Sequence, residues 1–190
     1  NGIQPHAFII SGKASRSSTF LLSLVHLINN VANVINKDEK LGSLIRIAFI
    51  PNYNVTVAEK LVAGADLNVQ ISTPGMEAAS TSNMKFSING SVIIGTNDGT
   101  NREIGKKTDN KNVIFMGLPL EVLDLARQEA GNPIIDEKLR LVFDAIRRGE
   151  FGDPQNYEEV LRSVEQEDYF LVNAEFEEYL NVQSKIDNDY

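Results

Sequence analysis

The sequence predicts an α/β fold built on parallel strands. Short, continuous apolar runs, which are typical of buried parallel strands, recur along the first 117 residues. Amphipathic helical patterns separate several of these runs. Strands and helices that alternate in this way form a parallel sheet covered on both faces, so we expect a Rossmann-like doubly wound sheet.

The predicted strands are apolar runs bounded by turn or loop residues. They cover residues 6–10, 45–51, 67–72, 91–96 and 113–117. The first run, His6-Ala7-Phe8-Ile9-Ile10, is uninterrupted and closed by Ser11-Gly12, so we expect it to be fully buried.

Helical spacing of apolar residues predicts helices between and after these strands. The predicted helices cover residues 18–35, 55–62, 120–130, 136–148, 157–164 and 175–186, with at best a short helix at 103–107. Gly64 is expected just past the end of the second helix. The segment around Lys85 is expected to run from loop into helix up to the turn dipeptide Asn89-Gly90. From about residue 119 to 190 the chain is therefore expected to be helical.

Composition excludes several classes of function. The 190 residues suffice for one sizeable domain, and the net charge of −8 argues against a nucleic-acid partner. The chain has no cysteine and two histidines, so we expect no disulfide and no metal site. We expect no run to reach the length of a membrane span and find no signal-peptide pattern at the N-terminus, so we expect no membrane partner. The acidic runs 157–159, 165–168 and 175–178 are expected to be solvated helix faces.

Four polar loops follow predicted strands. They cover residues 11–13, 52–54, 72–82 and 97–101. Because the carboxyl ends of parallel strands meet at one edge of a sheet, we expect a composite ligand site there. No G-x-G-x-x-G follows the first strand, which argues against a standard dinucleotide site.

Lys85 stands between Met84 and Phe86, after a run of small and hydroxylated residues. A buried ammonium is costly, so a lysine in apolar company is paired or chemically modified, and a neutral amine can form a Schiff base with a carbonyl cofactor. Hydroxyls and backbone amides at residues 80–83 suit a phosphate or a sugar. The same pattern also fits a helix start whose lysine extends into solvent, and the local sequence leaves both interpretations open.

The segment Thr81-Ser82-Asn83-Met84-Lys85-Phe86, together with Glu77, resembles the pyridoxal phosphate segment of the α-glucan phosphorylases (glycogen and starch phosphorylases). Ser11-Gly12-Lys13-Ala14 resembles the family's Gly-Gly-Lys-Ala, and residues 52–59 are close to its Asp-Tyr-Asn-Val-Ser-Val-Ala-Glu. Asp168-Tyr169-Phe170-Leu171-Val172 is similar to the plant type. The resemblance extends over nearly the whole chain.

The resemblance implies a particular place for this chain in a larger enzyme. Residues 1–190 would form most of the C-terminal, cofactor-binding domain of a two-domain glycosyltransferase of the GT-B type. The N-terminal domain and the last helices would lie outside this sequence. The full-length protein would be cytoplasmic and a homodimer.

The resemblance also implies an activity and a set of site residues. Family members release glucose 1-phosphate from α-1,4-glucan with inorganic phosphate, using pyridoxal phosphate. Lys85 would hold this cofactor as a Schiff base, and Thr81 and Ser82 would donate hydrogen bonds to its phosphate. Tyr53, Asn54, Val55 and Gln70 would line it. Glu77 would bind a glucose hydroxyl, with backbone contacts from Ala78, Ala79 and Ser80.

Some of these positions have simpler interpretations. Tyr53 also fits a core tyrosine, Gln70 a polar residue at a strand end, and Glu77 a carboxylate in the first turn of a helix. Ser80 replaces a glycine of the family and Ala79 a serine, which leaves open a noncatalytic domain that binds glucan or a partner chain. A sugar-nucleotide GT-B enzyme would leave the Lys85 motif unexplained. Because the partner domain lies outside this sequence, we expect the isolated chain to be inactive and to bind pyridoxal phosphate weakly or not at all.

Overall fold

The computed structural model describes residues 4–74, 81–129, 131 and 133–189. The chain divides into two compact units. Unit 1 comprises Asn1–Tyr53 and Ile135–Glu167, and unit 2 comprises Asn54–Ile134 and Asp168–Tyr190. Both contain helices and parallel strands, which confirms the predicted α/β class.

The described residues alternate between strands and helices up to β5 and are helical beyond it. In chain order the elements are β1 (His6–Gly12), α1 (Thr19–Lys37), α2 (Leu41–Leu44), β2 (Ile45–Pro51), α3 (Val55–Gly64), β3 (Leu67–Gln70), α4 (Ser82–Ile88), β4 (Val92–Thr96), α5 (Gly99–Lys107), β5 (Val113–Met116), α6 (Leu120–Glu129), α7 (Glu137–Arg147), a 3-10 helix (Pro154–Tyr157), α8 (Glu158–Arg162), a π-helical segment (Ser163–Glu167) and α9 (Val172–Asp189).

Unit 1 is organised around a parallel pair of strands. β1 and β2 pair from His6 opposite Ile45 to Gly12 opposite Pro51. The side chain of Asn36 in α1 bonds to both backbone groups of Ile47, donating to its oxygen at 2.8 Å and accepting from its nitrogen at 3.0 Å. An amide can do this because it carries a donor and an acceptor side by side, so Asn36 fixes α1 against β2.

The prediction that the first strand is fully buried is wrong. Ile9 is 54% exposed and Ile10 is 38% exposed. An uninterrupted apolar run indicates burial on both faces only where neighbouring strands and helices cover it. In the described part of unit 1 the sheet has just two strands, and this leaves β1 open.

The five described strands form two sheets instead of the single doubly wound sheet that was expected. A pattern of alternating strands and helices indicates that strands are parallel, because a helical crossover returns the chain in the same direction. The pattern does not specify which strands are neighbours. The division falls between β2 and β3.

Among the described residues, α1 is long and apolar enough to cross a membrane by length and composition. The expectation that no run reaches this length is wrong on that measure. The polar residues of α1 nevertheless bond within unit 1: Asn30 donates to the hydroxyl of Tyr157 at 2.7 Å, and Asn36 bonds to β2. These bonds attach α1 to the rest of unit 1, although Leu27 and Ala32 are its only residues that count as buried.

Unit 2 is built on the three-stranded parallel sheet β3–β4–β5, with β4 in the centre. Ile93 and Ile94 of β4 are 0% and 1% exposed, as expected for a central strand. Helix α9 contributes Val182 and Ile186 to a core cluster with Ile94 and Met116. This rigid core positions the loops and helices that follow β3 and β4.

Two helix boundaries in unit 2 differ from the prediction. Gly64 is the last residue of α3 and does not lie past its end. Helix α5 begins at Gly99, so three residues of the predicted polar loop 97–101 form its first turn. A helix start that contains polar side chains is hard to recognise in a sequence, because Asn, Asp and Thr also occur in loops and at helix caps.

Candidate functional site

Lys85 lies in the middle of α4, a helix of seven residues in unit 2. Thr81 precedes the helix with φ −93° and ψ 0°, and its side chain makes no capping bond. At the other end, the backbone N–H of Asn89 donates to the oxygens of Lys85 and Phe86, and Gly90 adopts φ +96°. A helix this short is not stable alone, so contacts with the rest of unit 2 hold it in place.

The side chain of Lys85 is exposed, while its neighbours Met84 and Phe86 are half-buried. Successive residues of an α-helix point about 100° apart, so apolar neighbours can pack inward while the lysine points out. Lys85 forms no ion pair with any residue that the structure describes. Of the two interpretations that the local sequence left open, the exposure of Lys85 matches the lysine that extends into solvent.

Two buried asparagines hold the opposite side of α4. Asn83 is 0% exposed and Asn101 is 4% exposed. Asn83 Nδ2 donates to Asn101 Oδ1 and to Thr100 Oγ1, both at 2.7 Å. Asn101 Nδ2 in turn donates to the backbone oxygens of Gln70 at 3.2 Å and Thr96 at 3.0 Å. The pair thereby links α4 and α5 to the last residues of β3 and β4.

Gly95 makes room for this asparagine pair. A Cβ at residue 95 would lie 2.4 Å from Asn101 Nδ2 and 2.7 Å from the backbone oxygen of Gln70. Both distances are below the closest contacts that real Cβ atoms make. Glycine is therefore required here because the Asn101 amide passes directly over the backbone of β4.

A second polar chain joins α4 to the end of β3. Ser82 Oγ donates to Gln70 Oε1 at 2.9 Å, and Gln70 Nε2 donates to Ser72 Oγ at 3.4 Å. Thr96 Oγ1 also donates to the backbone oxygen of Ser72, at 2.8 Å. Two of the predicted site residues, Gln70 and Ser82, are thus in direct contact, next to the exposed hydroxyl residue Thr81.

The other predicted cofactor-lining residues lie at the start of α3 and just before it. The unit boundary falls between Tyr53 and Asn54. Asn54 is the N-cap of α3, and its Oδ1 accepts from the backbone N–H of Val57 at 3.1 Å. Tyr53 is 39% exposed and Val55 is 75% exposed. Tyr53 is therefore no core residue in this chain, so that simpler interpretation does not apply.

The predicted substrate residues Glu77, Ala78, Ala79 and Ser80 lie outside the described residues. The chain just before them is fixed: Thr73 is 4% exposed and its hydroxyl donates to the backbone oxygen of Phe170 at 3.4 Å. The backbone oxygen of Pro74 accepts a hydrogen bond from Arg127 of α6.

The end of β5 is held by carboxylates that the sequence did not single out. The backbone N–H of Gly117 donates to Glu178 at 2.9 Å, and that of Leu118 donates to Glu175 at 3.0 Å. Burial raises the pKa of Glu175 above its ordinary value, against the opposing effect of the Leu118 N–H. Glu175 is 9% exposed and Asp168 is 2% exposed, so the expectation of solvated acidic faces is wrong for these two residues.

The described residues of unit 2 thus combine an exposed primary amine with a nearby set of hydroxyl and amide groups. A primary amine is the group that captures a carbonyl compound, and hydroxyls and amides suit phosphate and sugar oxygens. No group of three metal-ligating side chains occurs in the part of the chain that the structure describes.

The chain matches known proteins over its full length. The family model for carbohydrate phosphorylases matches residues 1–190. The chain is 39% identical over 193 residues to a glycogen phosphorylase of Haemophilus influenzae, covering 98% of this chain and 24% of that protein. It is 40% identical over 194 residues to the potato (Solanum tuberosum) chloroplastic/amyloplastic alpha-1,4 glucan phosphorylase L-2 isozyme. This match covers 98% of this chain and 20% of that protein.

A third relative is the cytosolic alpha-glucan phosphorylase 2 of Arabidopsis thaliana, which is 38% identical over 194 residues, with 98% of this chain and 23% of that protein covered. The chain therefore spans about a quarter or less of the length of these curated relatives. Since the family model matches every residue, the chain belongs to the carbohydrate phosphorylase family.

Proposed function

We propose that this chain is the cofactor-binding part of an α-glucan phosphorylase that releases glucose 1-phosphate from α-1,4-glucan with inorganic phosphate. The family match over all 190 residues is the observation that supports this most directly. The names of the relatives, which are glycogen and alpha-glucan phosphorylases, supply the substrate class. In this proposal the chain adopts the GT-B C-terminal domain arrangement within a cytoplasmic homodimer.

The residues present fit pyridoxal phosphate as the cofactor. Lys85 offers an exposed primary amine, and a neutral primary amine is the group that reacts with a carbonyl compound. Thr81 and Ser82 stand four and three residues before it. The hydroxyl of Thr81 can donate to a phosphate oxygen, whereas that of Ser82 donates to Gln70 Oε1 in this structure and would exchange this bond for one to the phosphate. When bound, this cofactor supplies a phosphate group whose second pKa near 6 suits proton exchange close to neutral pH.

Each of the proposed residues has its own role in binding the cofactor or the sugar. Lys85 holds the cofactor covalently, and Ser82 is oriented by its bond to Gln70 at 2.9 Å. Tyr53, Asn54 and Val55 line the cofactor, with Asn54 fixed as the cap of α3. Glu77 binds a glucose hydroxyl and the backbone of residues 78–80 contacts the sugar.

The isolated chain is proposed to be inactive. It spans a quarter or less of its relatives, and a net charge of −8 disfavours the binding of inorganic phosphate by this segment alone. The partners of the site are therefore the glucan, the phosphate and the remaining domain of the full-length protein.

The proposal is tested by the activity of a full-length protein that contains this segment. Lys85→Ala is expected to abolish glucose 1-phosphate release from glucan. Lys106→Ala removes another exposed lysine of unit 2, in α5, and is expected to leave the rate unchanged. Wild-type turnover by Lys85→Ala would refute the role of Lys85, and activity of the isolated chain would refute its dependence on the rest of the protein.

A further inference from the structure

Asn83 and Lys85 lie on opposite sides of α4. Residues two positions apart in an α-helix point about 200° from each other. Asn83 accordingly points into unit 2 and is 0% exposed, whereas Lys85 is exposed. The contacts of Asn83 therefore determine how far Lys85 lies from the sheet of unit 2 and in which direction its side chain points into solvent.

The polar groups of Asn83 and Asn101 are fully used. In Asn83, both amide hydrogens bond across to α5, and the oxygen accepts from the Met84 N–H at 2.7 Å. In Asn101, the oxygen accepts from Asn83 and both amide hydrogens bond to the ends of β3 and β4. A fully satisfied buried network of this kind specifies one geometry, since any shift leaves a buried polar group without a partner.

The helix has few other means of fixing its orientation. It has seven residues and its N-cap side chain makes no capping bond. Its apolar residues Met84 and Phe86 are half-buried, and apolar contacts are not directional. Besides the Ser82–Gln70 bond at the first residue of α4, the amide pair is the directional side-chain contact that ties the described part of α4 to the sheet of unit 2, and its two asparagines are buried.

We propose that Asn83, held by Asn101, is a positioning residue that fixes the orientation of Lys85 toward its cofactor. This inference rests on the proposed role of Lys85 as the cofactor lysine. Asn83 itself is buried and faces away from the exposed amine. Its effect is exerted through the backbone of α4.

The test uses the full-length protein with Asn83→Ala, Asn101→Ala and the double variant. Asn83→Asp keeps the volume of the side chain but replaces its N–H donors with oxygen, so it separates loss of donors from creation of a cavity. Ile186→Ala is the control, because Ile186 is 1% exposed in the core of the same unit and belongs to the cluster with Ile94 and Met116.

Two quantities are measured: hydrogen exchange of the amides at residues 84–88, and pyridoxal phosphate retained per chain after dialysis. Asn83→Ala and Asn83→Asp are expected to speed exchange in α4 by about tenfold or more and to lower retention by a similar factor. Exchange in β4 is expected to stay near wild type. The double variant is expected to be no worse than the stronger single variant, because both substitutions break one network.

The outcomes separate this inference from the proposed function. If the wild-type protein retains no pyridoxal phosphate, the proposed function fails, and the exchange rates still decide whether Asn83 anchors α4. If the amides of α4 exchange at the wild-type rate in both Asn83 variants, Asn83 does not hold α4 in place and the inference is overturned. If the Asn83 variants lose no more amide protection in α4 than Ile186→Ala does, Asn83 is only a stabilising residue and the inference is overturned. Undiminished cofactor retention in the Asn83 variants would overturn it as well.

Discussion

β4 and β5 lie side by side in unit 2, yet their C-terminal ends are held by side chains of different character. The last carbonyl of β4 accepts from the neutral amide of Asn101, whereas the backbone N–H groups after β5 donate to the carboxylates of Glu175 and Glu178. An amide both donates and accepts, so it can link several elements at once. A carboxylate only accepts hydrogen bonds, and the strength of those bonds depends on pH because the carboxylate can be protonated.

This difference suggests different purposes. The amide network fixes α4, which bears Lys85, in a geometry that does not change with pH. The two carboxylates attach α9 to the turn after β5, and the raised pKa of Glu175 makes its part of that contact sensitive to protonation. Substitutions at the two strand ends should therefore differ both in size and in their dependence on pH.

The largest effect is expected from Gly95→Ala, at the end of β4. The new Cβ would lie 2.7 Å from the backbone oxygen of Gln70, which cannot move without distorting β3, and 2.4 Å from the Asn101 amide. We expect the free energy of unfolding of unit 2 to fall by about 3 kcal/mol, measured by urea denaturation. Gly64→Ala is the matched control, since a Cβ there meets no atom within 4 Å. Equal stability of the two variants would show that Asn101 does not occupy this position.

A smaller effect is expected from Gly117→Ala, at the end of β5. Gly117 has φ +91°, and a Cβ would lie 2.9 Å from Glu175 Oε1. Gly90→Ala introduces the same backbone strain at φ +96° but meets no atom within 4 Å. We expect a loss of about 1 kcal/mol for Gly90→Ala from the strain alone, and about 2 kcal/mol for Gly117→Ala, which also displaces Glu175. Equal unfolding free energies for Gly90→Ala and Gly117→Ala, measured by urea denaturation, would argue against the contact between residue 117 and Glu175.

The smallest effect is the pH dependence contributed by Glu175. Its pKa is raised first by burial and further by Glu178 and Asp168, while the N–H of Leu118 lowers it. A carboxyl whose pKa is raised in the folded state binds its proton more tightly when folded. Its contribution to stability is therefore complete below the ordinary value of 4.5 and is lost as the pH rises through the folded pKa.

Glu175→Gln removes this titration while keeping an oxygen that can accept from Leu118. We expect a flatter dependence of the unfolding free energy on pH above 4.5 than in the wild type. Glu177→Gln removes a charge from an exposed position of the same helix and should keep the wild-type slope. A wild-type slope in Glu175→Gln would show that this carboxyl does not titrate as its burial requires.

Sequence reasoning predicted the structural features that depend on local pattern. The parallel strands, the loop-to-helix segment and the motif around Lys85 are all readable over a few residues. The Asn83–Asn101 bond joins residues 18 apart, and Leu118 and Glu175 are 57 apart, so these contacts depend on how helices pack on the sheet. Asn83, in the segment predicted to run from loop into helix, was the available signal, because asparagine is unfavourable inside a helix unless its side chain is bonded. Asn101 gave no such signal, because it was assigned to a predicted loop.

Exposure was predicted least well, for a related reason. The apolar run of β1 indicated burial, yet Ile9 is exposed. The apolar neighbours of Lys85 left burial and exposure both open, and Lys85 is exposed. An apolar pattern shows what a segment can bury. What covers the segment depends on the neighbouring elements, and the pattern of a single segment does not specify them.

The most direct test of the account is to locate the lysine that holds the cofactor. The full-length protein is incubated with pyridoxal phosphate, reduced with borohydride, digested, and its peptides are analysed by mass spectrometry. The account predicts that the reduced cofactor is attached to the peptide containing Lys85 and is absent from that peptide in Lys85→Arg. Attachment to another lysine, or no attachment in the wild-type protein, would contradict it.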